Sequence, residues 1–543
     1  MRNDSVSRFS MSPQANIPRS TFNRDSTYKT TFDAGQLVPF YCDEVYPGDT
    51  FSMDTALLCR MATPIFPVMD NAYLDYYFFF VPNRLTWSNW EKFNGNANPN
   101  AWEDPVDLRT PSIDLSEDAA VYSKYLDYFG IPQFAPGLQS ERINCLPFRA
   151  YKLIWNEFFR DENLMEAQLV NMDDYDSMDN YVNLLPVCKF HDYFTSALPK
   201  PQKGGAVPFV GETHVITGKD WFTGDGYNLP DSITRPLRMT FFNDSGVSGG
   251  LYLSTGDVND HHEVYGGANG VGNGIAGVVP TNLYADVESA AWNTINALRQ
   301  AFAVQRLLEA DARGGSRYTE IIRQHFGTVS PDARLQRPEY LGGKRVPITV
   351  NQVIQQSATQ EGSTPQGNVA AFSKTVDKSG SFTKSFVEHG FIIGVMCVRT
   401  DHTYQQGINR MWSRRERFDY YWPSLAHIGE QPVYNREIYF SDDGKNDEIF
   451  GYQEAYADLR YKPSIVTGQF RSYVHGSLDA WHYGDYYTSR PYLSADWIAE
   501  TKNNIDRTIA VPSEPQFIID MYFDCKATRP MPLYSVPGLV DHY

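Results

Sequence analysis

The segment Arg410–Trp422, with the sequence RMWSRRERFDYYW, interleaves four arginines with five aromatic residues. Guanidinium groups pair with phosphates and flat rings stack on unpaired bases, so this composition suits single-stranded nucleic acid. Arginine, tyrosine and tryptophan are also enriched in protein interfaces, and the sequence favours a subunit interface slightly over a nucleic-acid site. Both interpretations stay open. Under the nucleic-acid interpretation, the predicted contact residues are Arg410, Trp412, Arg414, Arg415 and Arg417.

Two further motifs suggest chemistry, but the sequence around them does not support it. Gly272, Gly274 and Gly277 match GxGxxG, yet a dinucleotide site needs a strand before the first glycine, and the preceding HHEVYGGANGVGN is typical of a loop. The run His261–Glu263 offers metal ligands, but adjacent residues point apart on regular structure and no partner histidine follows at ligand spacing. We therefore predict a glycine-rich loop and an exposed polar loop.

The sequence gives no sign of a catalytic centre. It contains no GxSxG elbow and no reactive-cysteine signature. Carboxylate pairs such as Asp173–Asp174 and Asp442–Asp443 would serve a glycosidase only if two carboxylates converged across a cleft, which a sequence does not show. Solvated acidic loops are the preferred interpretation of these pairs. We predict no catalytic residue, no metal site and no cofactor.

The overall composition narrows the class of protein. Among 543 residues, 47 are basic and 65 acidic, which gives a net charge of −18 and argues against a chain that wraps nucleic acid by itself. The N-terminal sequence has no apolar core of a secretory signal, and no apolar run is long enough for a membrane span. The six cysteines are scattered without a CxxC, so a reduced folding environment is expected.

Strand patterns occur near both ends of the chain. Phe51, Met53 and Thr55 alternate with polar residues, and the apolar run Tyr73–Val81 suits a strand that is buried on both faces. Phe391–Val398 is a similar run. Ile519, Met521 and Phe523 alternate again with more polar residues near the C-terminus. Early and late core strands separated by long insertions predict a single β-sandwich.

Few helices are predicted. Pro147 opens one, in which aromatic residues recur at intervals of three and four. The longest is predicted over Asp286–Ala312, with Gly314–Gly315 as its end, and a short helix over Ser316–Phe326 is predicted to follow it.

Composition also divides the chain. Residues 1–29 are polar and net basic, which predicts an extended N-terminal arm. Residues 204–280 hold 16 of the 39 glycines and eight acidic against three basic residues, so we predict a loop-rich insertion on the outside. Residues 30–203 and 281–543 then form the sandwich. Within the insertion, the predicted apolar contacts are made by Trp221, Phe222, Phe241 and Phe242.

Six segments of the chain, in order, resemble the major capsid proteins of gokushoviruses, which are small icosahedral single-stranded DNA phages of the Microviridae. The insertion is the part of the chain without a recognised motif. The segments that carry the resemblance are Thr30–Phe51, Met69–Trp90, Leu146–Leu164, Leu185–Gly205 (LPVCKFHDYFTSALPKPQKGG), Asp311–Gly343 and Arg529–Tyr543.

The resemblance implies a fold and a function. The expected fold is mainly β, an eight-stranded antiparallel jelly-roll sandwich with long loop insertions and a few helices. The expected function is a capsid subunit that forms an icosahedral shell around circular single-stranded DNA, in virions that assemble in the host cytoplasm. The N-terminal arm is expected inside the shell, and the insertion is expected to form a protrusion at the three-fold axis.

The resemblance also implies partners. They are identical subunits, packaged single-stranded DNA, a small basic DNA-binding protein, an internal scaffolding protein and a receptor on the bacterial surface. The alternative function from the residues alone is a secreted β-sandwich glycoside hydrolase, which the missing signal sequence disfavours. A fibre adhesin would show sequence repeats, and none occurs.

Overall fold

The computed structural model describes residues 18–94, 108–115, 123–132, 141–204, 214–217, 239–243, 248–249, 275–280, 283–286, 295–314, 336–354 and 369–534. The chain divides into two compact units. The first comprises Met1–Pro201 with Ala312–Tyr543, and the second comprises Gln202–Asp311.

Eight framework strands form the first unit, and each is numbered here in chain order. Successive side chains of each strand point to opposite faces of its sheet. The strands are β1 (Ser26–Phe32), β2 (Val38–Val45), β3 (Thr50–Met61), β4 (Ala72–Pro82), β5 (Glu339–Pro347), β6 (Thr375–Ser385), β7 (Gly390–Thr400) and β8 (Phe517–Arg529).

These strands pair into two antiparallel sheets. The first sheet has the order β1-β8-β3-β6, and the second has the order β2-β7-β4-β5. The chain passes from one sheet to the other at most of its connections, so the two orders interleave as they do in a jelly roll. The prediction of a mainly β, antiparallel sandwich with few helices is confirmed.

The apolar faces of the two sheets enclose one core. Phe40 of β2 stacks on Phe523 of β8 with ring centroids 5.8 Å apart, and Phe78 of β4 meets Phe40 edge-on at 5.3 Å. Alternate residues of β8 lie in this core, since Ile519, Met521 and Phe523 are at most 1% exposed. The alternation predicted for this strand is therefore confirmed.

A second core covers the other face of the second sheet. Phe78 and Phe80 of β4 lie in the core between the sheets, while Phe79 and Val81 lie in a separate apolar cluster with the helix Leu146–Phe158. This confirms the prediction that the strand is buried on both faces. A strand between two cores explains why its sequence is almost continuously apolar.

The helix Leu146–Phe158 was predicted from its proline and its aromatic spacing. It is fixed to its surroundings by buried polar groups as well as by apolar packing. The Tyr151 hydroxyl donates to the Leu37 carbonyl at 2.6 Å, and the Trp155 indole N–H donates to the Pro186 carbonyl at 2.6 Å. These bonds satisfy polar atoms that would otherwise be left unpaired inside the second core.

The ion pair between Arg149 and Asp176 is completely buried. Arg149 lies on the helix, and its Nε is 3.1 Å from Asp176, with both side chains at most 1% exposed. Removal of either partner would leave an uncompensated buried charge, at a cost of about 3–5 kcal/mol. The guanidinium also donates to the carbonyls of Thr86, Asp173 and Tyr175.

Short elements make up the excursions of the first unit. The additional strand pairs are Ser112–Asp114 with Arg142–Asn144, Val350–Ile354 with Val369–Ser373, Glu430–Tyr434 with Ile449–Glu454, and the parallel pair Thr403–Tyr404 with Ser464–Ile465. The short helices are Trp90–Phe93, Lys124–Tyr128, Asn435–Ile438, Ala495–Ile498 and Asn503–Asp506. The 3-10 turns are Asn83–Leu85, Met178–Tyr181, Arg410–Ser413, Arg417–Asp419, Pro423–Leu425, Ala457–Leu459, Gly468–Phe470 and Asp479–Trp481.

The first described segments of the chain join the first sheet. Ser20–Asn23 and Ser26–Phe32 both pair with β8, so the last ten residues of the predicted arm lie along the sheet. Backbone hydrogen bonds hold these segments, which explains how a polar sequence can be an ordered strand.

In its described residues, the second unit contains short strands and most of a long helix. Its strand pairs are His214–Thr217 with Leu283–Asp286, and Met239–Asn243 with Ser248–Gly249 and Ile275–Pro280. The helix is Ile295–Gly314, so it ends at the predicted glycines.

Two predictions for this part of the chain need correction. The long helix does not include Asp286, because that residue pairs with His214 in a strand. Gly277 is not in a loop, because it lies in the strand Ile275–Pro280, while Gly272 and Gly274 lie outside the described residues. The predicted helix over Ser316–Phe326 also lies outside them.

Within the described ranges, no helix has both the length and the apolar character needed to cross a membrane. All six cysteines lie in these ranges, and each is a free thiol.

Candidate interaction surface

The Arg410–Trp422 segment forms a chain of short turns on the first unit. Its first turn, Arg410–Ser413, begins where the Asn409 side chain accepts a hydrogen bond from the Met411 N–H at 3.0 Å. Its second turn is closed by Asp419, which accepts from two backbone N–H groups at 2.8 Å. These bonds hold the pKa of Asp419 below its usual range and fix the backbone locally.

Two of the four arginines are committed to the interior of this unit. Arg410 donates to the Pro432 carbonyl at 2.8 Å and lies 3.5 Å from Glu437. Arg414 pairs with Asp458, and both side chains are less than 10% exposed. Burial raises the pKa of Glu437, while the charge of Arg410 opposes that rise. Arg410 and Arg414 therefore anchor the segment rather than present charge to a partner.

The other two arginines are exposed. Arg415 has no side-chain hydrogen bond or ion pair with any residue that the structure describes. The Arg417 guanidinium lies 4.9 Å from the centre of the Trp422 ring, and the Trp422 indole donates to the Arg417 carbonyl at 3.1 Å. Both charges are accessible to a phosphate or to a carboxylate of another molecule.

Aromatic and apolar side chains dominate the same surface. Trp412 is 74% exposed and Phe418 is 69% exposed, which is unusual for rings of this size. We call this patch the Arg410–Trp422 surface. Its exposed apolar members are Met411, Trp412, Phe418, Tyr420, Tyr421 and Trp422.

Tyr456 supports this surface from beneath. Its φ of 58° is the one left-handed value among the described residues other than glycine, and its ring meets Tyr421 edge-on at 5.2 Å. A left-handed tyrosine costs about 1–3 kcal/mol and persists only where its surroundings enforce it. A small polar cavity of about 290 Å³ lies next to it, lined by Arg410, Arg414 and Arg436 among others.

The remaining predicted sites are distributed as follows. Phe241 and Phe242 lie in the strand Met239–Asn243, and Trp221 and Phe222 lie outside the described residues, so the contacts predicted for a protrusion stay a prediction. The run His261–Glu263 also lies outside them. In the described part of the chain, no group of three or more His, Cys, Asp or Glu side chains is placed to hold a metal ion.

The two carboxylate pairs have structural roles. Asp174 accepts hydrogen bonds from the Trp87 indole at 2.6 Å and from Asn89 at 2.9 Å. Asp443 accepts from Ser441 and from the backbone of Lys445 within one turn. These contacts agree with the interpretation of both pairs as loop residues.

Sequence reasoning missed a cavity of about 520 Å³ beside β4 and β5. Residues from five separate segments line it, and this separation is why no local motif indicates it. Four of these segments overlap family-like segments, namely Met69–Trp90, Leu146–Leu164, Leu185–Gly205 and Asp311–Gly343, but the resemblance does not indicate that they meet at a cavity. The lining residues are Tyr77, Phe79, Phe158, Phe159, Arg160, Asp161, Cys188, Lys189, Phe190, His191, Tyr340, Arg345 and Arg399.

Comparison with known proteins covers almost the whole chain. The profile of the family described as "Capsid protein (F protein)" matches residues 10–539. The chain is 44% identical to capsid protein VP1 of Bdellovibrio phage phiMH2K, over 98% of both chains. It is 41% identical to capsid protein VP1 of Chlamydia phage 1, over 98% of this chain and 97% of that one. It is 40% identical to capsid protein VP1 of Spiroplasma virus 4, over 99% and 98% respectively.

Proposed function

The chain belongs to the capsid protein (F protein) family, and we propose that its copies assemble into a closed icosahedral shell around circular single-stranded DNA. Its role in the virion capsid is structural rather than enzymatic, as in its relatives, so the glycoside hydrolase alternative is set aside. Closed symmetry repeats one contact many times, and modest interfaces therefore add up to a stable particle.

The observation that carries this proposal is the Arg410–Trp422 surface. Trp412 and Phe418 are largely uncovered in the single chain, although Arg410 and Arg414 anchor their backbone firmly. Rigid, exposed aromatic rings beside arginines are the composition of binding hot spots in protein interfaces. The neighbouring subunit of the shell is the partner that would cover them.

A second role for the same surface rests on Arg415 and Arg417. Both are exposed, and the Arg417 guanidinium stacks on Trp422, an arrangement that also suits unpaired nucleotides. On this alternative, packaged DNA rather than a subunit covers the surface. Trp412 would then contact a base, while Arg410 and Arg414 would act only as anchors.

Other partners follow from charge and from the family. A shell whose subunits each carry a net charge of −18 does not neutralise a genome, so we propose that a small basic DNA-binding protein, counterions or both do so. We also propose that an internal scaffolding protein takes part in the assembly of the shell. Residues 204–280 are proposed as an external protrusion at the three-fold axis, where Trp221, Phe222, Phe241 and Phe242 meet their copies and the tip binds a receptor on the bacterial surface.

The test replaces rings and charges separately. The full chain is co-expressed with the scaffolding protein, and particles are counted by electron microscopy and sedimentation. We expect Trp412→Ala with Phe418→Ala to abolish shells while the subunit stays folded by circular dichroism. We expect Arg415→Ala with Arg417→Ala to weaken assembly less, because the apolar contact remains.

Three outcomes decide between the roles. Loss of shells in the aromatic variant supports the interface. Normal shells that contain less DNA, in both variants, would assign the surface to nucleic acid. A folded wild-type chain that never forms particles with its partners would contradict the capsid proposal itself.

A further inference from the structure

The cavity beside β4 and β5 has the size of a ligand site. Its volume of about 520 Å³ falls within the range of about 300–1,000 Å³ that is usual for small-molecule pockets. A β-bulge at Tyr340–Gly342 interrupts β5 at the cavity wall, and bulges of this kind often redirect a side chain next to a functional site. Gly343 follows the bulge, and a Cβ there would lie 2.3 Å from the Tyr76 carbonyl oxygen.

One wall carries two guanidinium groups on a single buried carboxylate. Asp75 is fully buried and accepts two hydrogen bonds from Arg345, at 2.7 and 3.1 Å, and another from Arg399. The Phe190 ring contacts both cations, with its centre 4.2 Å from the Arg345 guanidinium and 4.3 Å from the Arg399 guanidinium. Two fixed cations that share one anion leave a positive charge at this wall.

The rest of the lining adds to this positive charge. Arg160 and Lys189 also line the cavity, and Lys189 is 7% exposed and lies 3.6 Å from Asp485. The Asp161 carboxylate accepts backbone hydrogen bonds at 2.8 and 3.1 Å, and it is the one carboxylate among the lining residues. The cations are Arg160, Lys189, Arg345 and Arg399. The carboxylates are Asp161 in the lining and Asp75 and Asp485 behind it, so four positive charges face three negative ones.

Two of the lining arginines each have a buried donor without an acceptor in the described part of the chain. The Nε–H groups of Arg160 and Arg399 are buried and make no hydrogen bond within the part of the chain that the structure describes. Buried donors are almost always paired in folded proteins. Both Nε atoms are closed to solvent, so they do not themselves face a ligand, and it is the surplus positive charge of the lining that indicates an anion.

Aromatic rings form the mouth of the cavity. Phe158 is 41% exposed and Tyr340 is 50% exposed, and both rest on the buried Phe79 ring at centroid distances of 4.7 and 5.7 Å. Rings that are supported from behind and open in front can stack on a flat partner.

From these observations we propose that the cavity binds one nucleotide unit of single-stranded DNA. The base stacks on Tyr340 and Phe158, and the phosphate accepts hydrogen bonds from Arg160 and from the guanidinium pair at Asp75. The inference rests on the proposed capsid function, and it places a DNA contact outside the Arg410–Trp422 surface. A nucleotide combines a flat ring with an anion, as the walls of this cavity require.

The test measures binding of a fluorescein-labelled ten-residue thymidine oligonucleotide to the purified, unassembled full chain by fluorescence anisotropy. We expect Tyr340→Ala and Arg160→Gln each to weaken binding about tenfold. Arg160→Gln should also reduce the slope of log affinity against log salt by about 0.7, the value for one phosphate contact on a single strand. The matched controls are Tyr492→Ala and Arg60→Gln, which change exposed residues away from the cavity.

Competitors identify the ligand. Thymidine 5′-monophosphate should displace the labelled oligonucleotide more strongly than thymidine or inorganic phosphate. If inorganic phosphate displaced the oligonucleotide as strongly as thymidine 5′-monophosphate, the cavity would be a site for simple anions, and the proposal would be overturned. Stronger displacement by an acidic peptide would indicate a protein partner and overturn it too.

Equal binding by the cavity variants and their controls would also refute the nucleotide site. Shell assembly is scored separately by electron microscopy, so failure of the nucleotide site leaves the capsid proposal intact. Failure to assemble leaves the binding result interpretable on the free subunit.

Discussion

At the scale of single residues, His402 shows how buried charge is balanced in this subunit. Its Nδ1 lies 3.1 Å from Asp485 and its Nε2 lies 3.1 Å from Glu500, and the three side chains are at most 5% exposed. An ionised carboxylate only accepts hydrogen bonds, so both ring nitrogens must donate, and His402 is an imidazolium. Lys189 adds a second positive charge beside Asp485.

This geometry predicts an unusual pH dependence. Burial alone lowers the pKa of His402, but the charges of Asp485 and Glu500 outweigh it and raise the pKa to about 10. The unfolded chain releases the same proton near a pH of about 6.5. The stabilisation from His402 is therefore complete below about pH 6.5 and is lost as the pH rises towards 10.

We expect His402→Gln to lower the free energy of unfolding by about 3–5 kcal/mol at pH 6, because two buried carboxylates lose their cation. The difference from wild type should shrink by up to about 1.4 kcal/mol per pH unit above pH 6.5. Urea unfolding of the unassembled subunit between pH 6 and 9.5 measures this difference in unfolding free energy. His475→Gln, at an exposed position, is the control, and a difference that stays constant with pH would contradict the imidazolium assignment.

The predicted nucleic-acid residues show what a sequence reveals at this scale. The composition of Arg410–Trp422 indicated a binding surface, and its aromatic residues are indeed exposed. The partners of two arginines were not visible, because Glu437 is 27 residues from Arg410 and Asp458 is 44 residues from Arg414. A charge that is satisfied internally cannot be told from a free one before the fold is known.

At the scale of secondary-structure elements, the sequence correctly predicted the strands whose burial pattern is regular. β4 reads as a continuous apolar run because it separates two cores, and β8 alternates because it has one buried face. The long helix was predicted to begin at Asp286, because an acidic residue is favourable at a helix start, whereas Asp286 pairs with His214 in a strand, and that pairing is not encoded locally. Pairings between distant segments depend on tertiary context and escape local patterns.

β8 offers a direct test of the sandwich, because it is a central strand with two isoleucines in adjacent positions. Ile519 is 1% exposed in the core, whereas Ile518 is 56% exposed on the opposite face. We expect Ile519→Ala to lower the free energy of unfolding by about 2–5 kcal/mol, since it leaves a cavity. The matched change Ile518→Ala should cost about 1 kcal/mol at most.

Denaturant titration of the unassembled subunit, followed by circular dichroism, compares the two variants. Both variants replace isoleucine by alanine in the same strand, so the change in strand propensity is nearly the same in each. The difference between their losses of unfolding free energy therefore reports burial. Equal losses would mean that β8 does not separate a core face from an outer face.

At the scale of the whole molecule, the framework and the insertion are separable in sequence. Every framework strand and both apolar cores lie in Met1–Pro201 and Ala312–Tyr543, while Gln202–Asp311 forms a compact unit of its own. A sandwich tolerates a large excursion between two strands because its sheets already cover each other's apolar faces. Acidic charge in residues 204–280 also disfavours contact with packaged DNA.

These properties predict the result of removing the insertion. Replacement of residues 206–286 by a short Gly/Ser linker deletes both members of each described strand pair in the second unit, so no strand is left without its partner. We expect shells to form, density at the three-fold axes to disappear in electron-microscopy reconstructions, and adsorption to a plaque-forming host to be lost. Full-length shells from the same preparation are the control.

Density that persists at the three-fold axes would place the protrusion elsewhere in the chain, and unchanged adsorption would remove its role in attachment. An insoluble subunit would show that the framework depends on the insertion to fold.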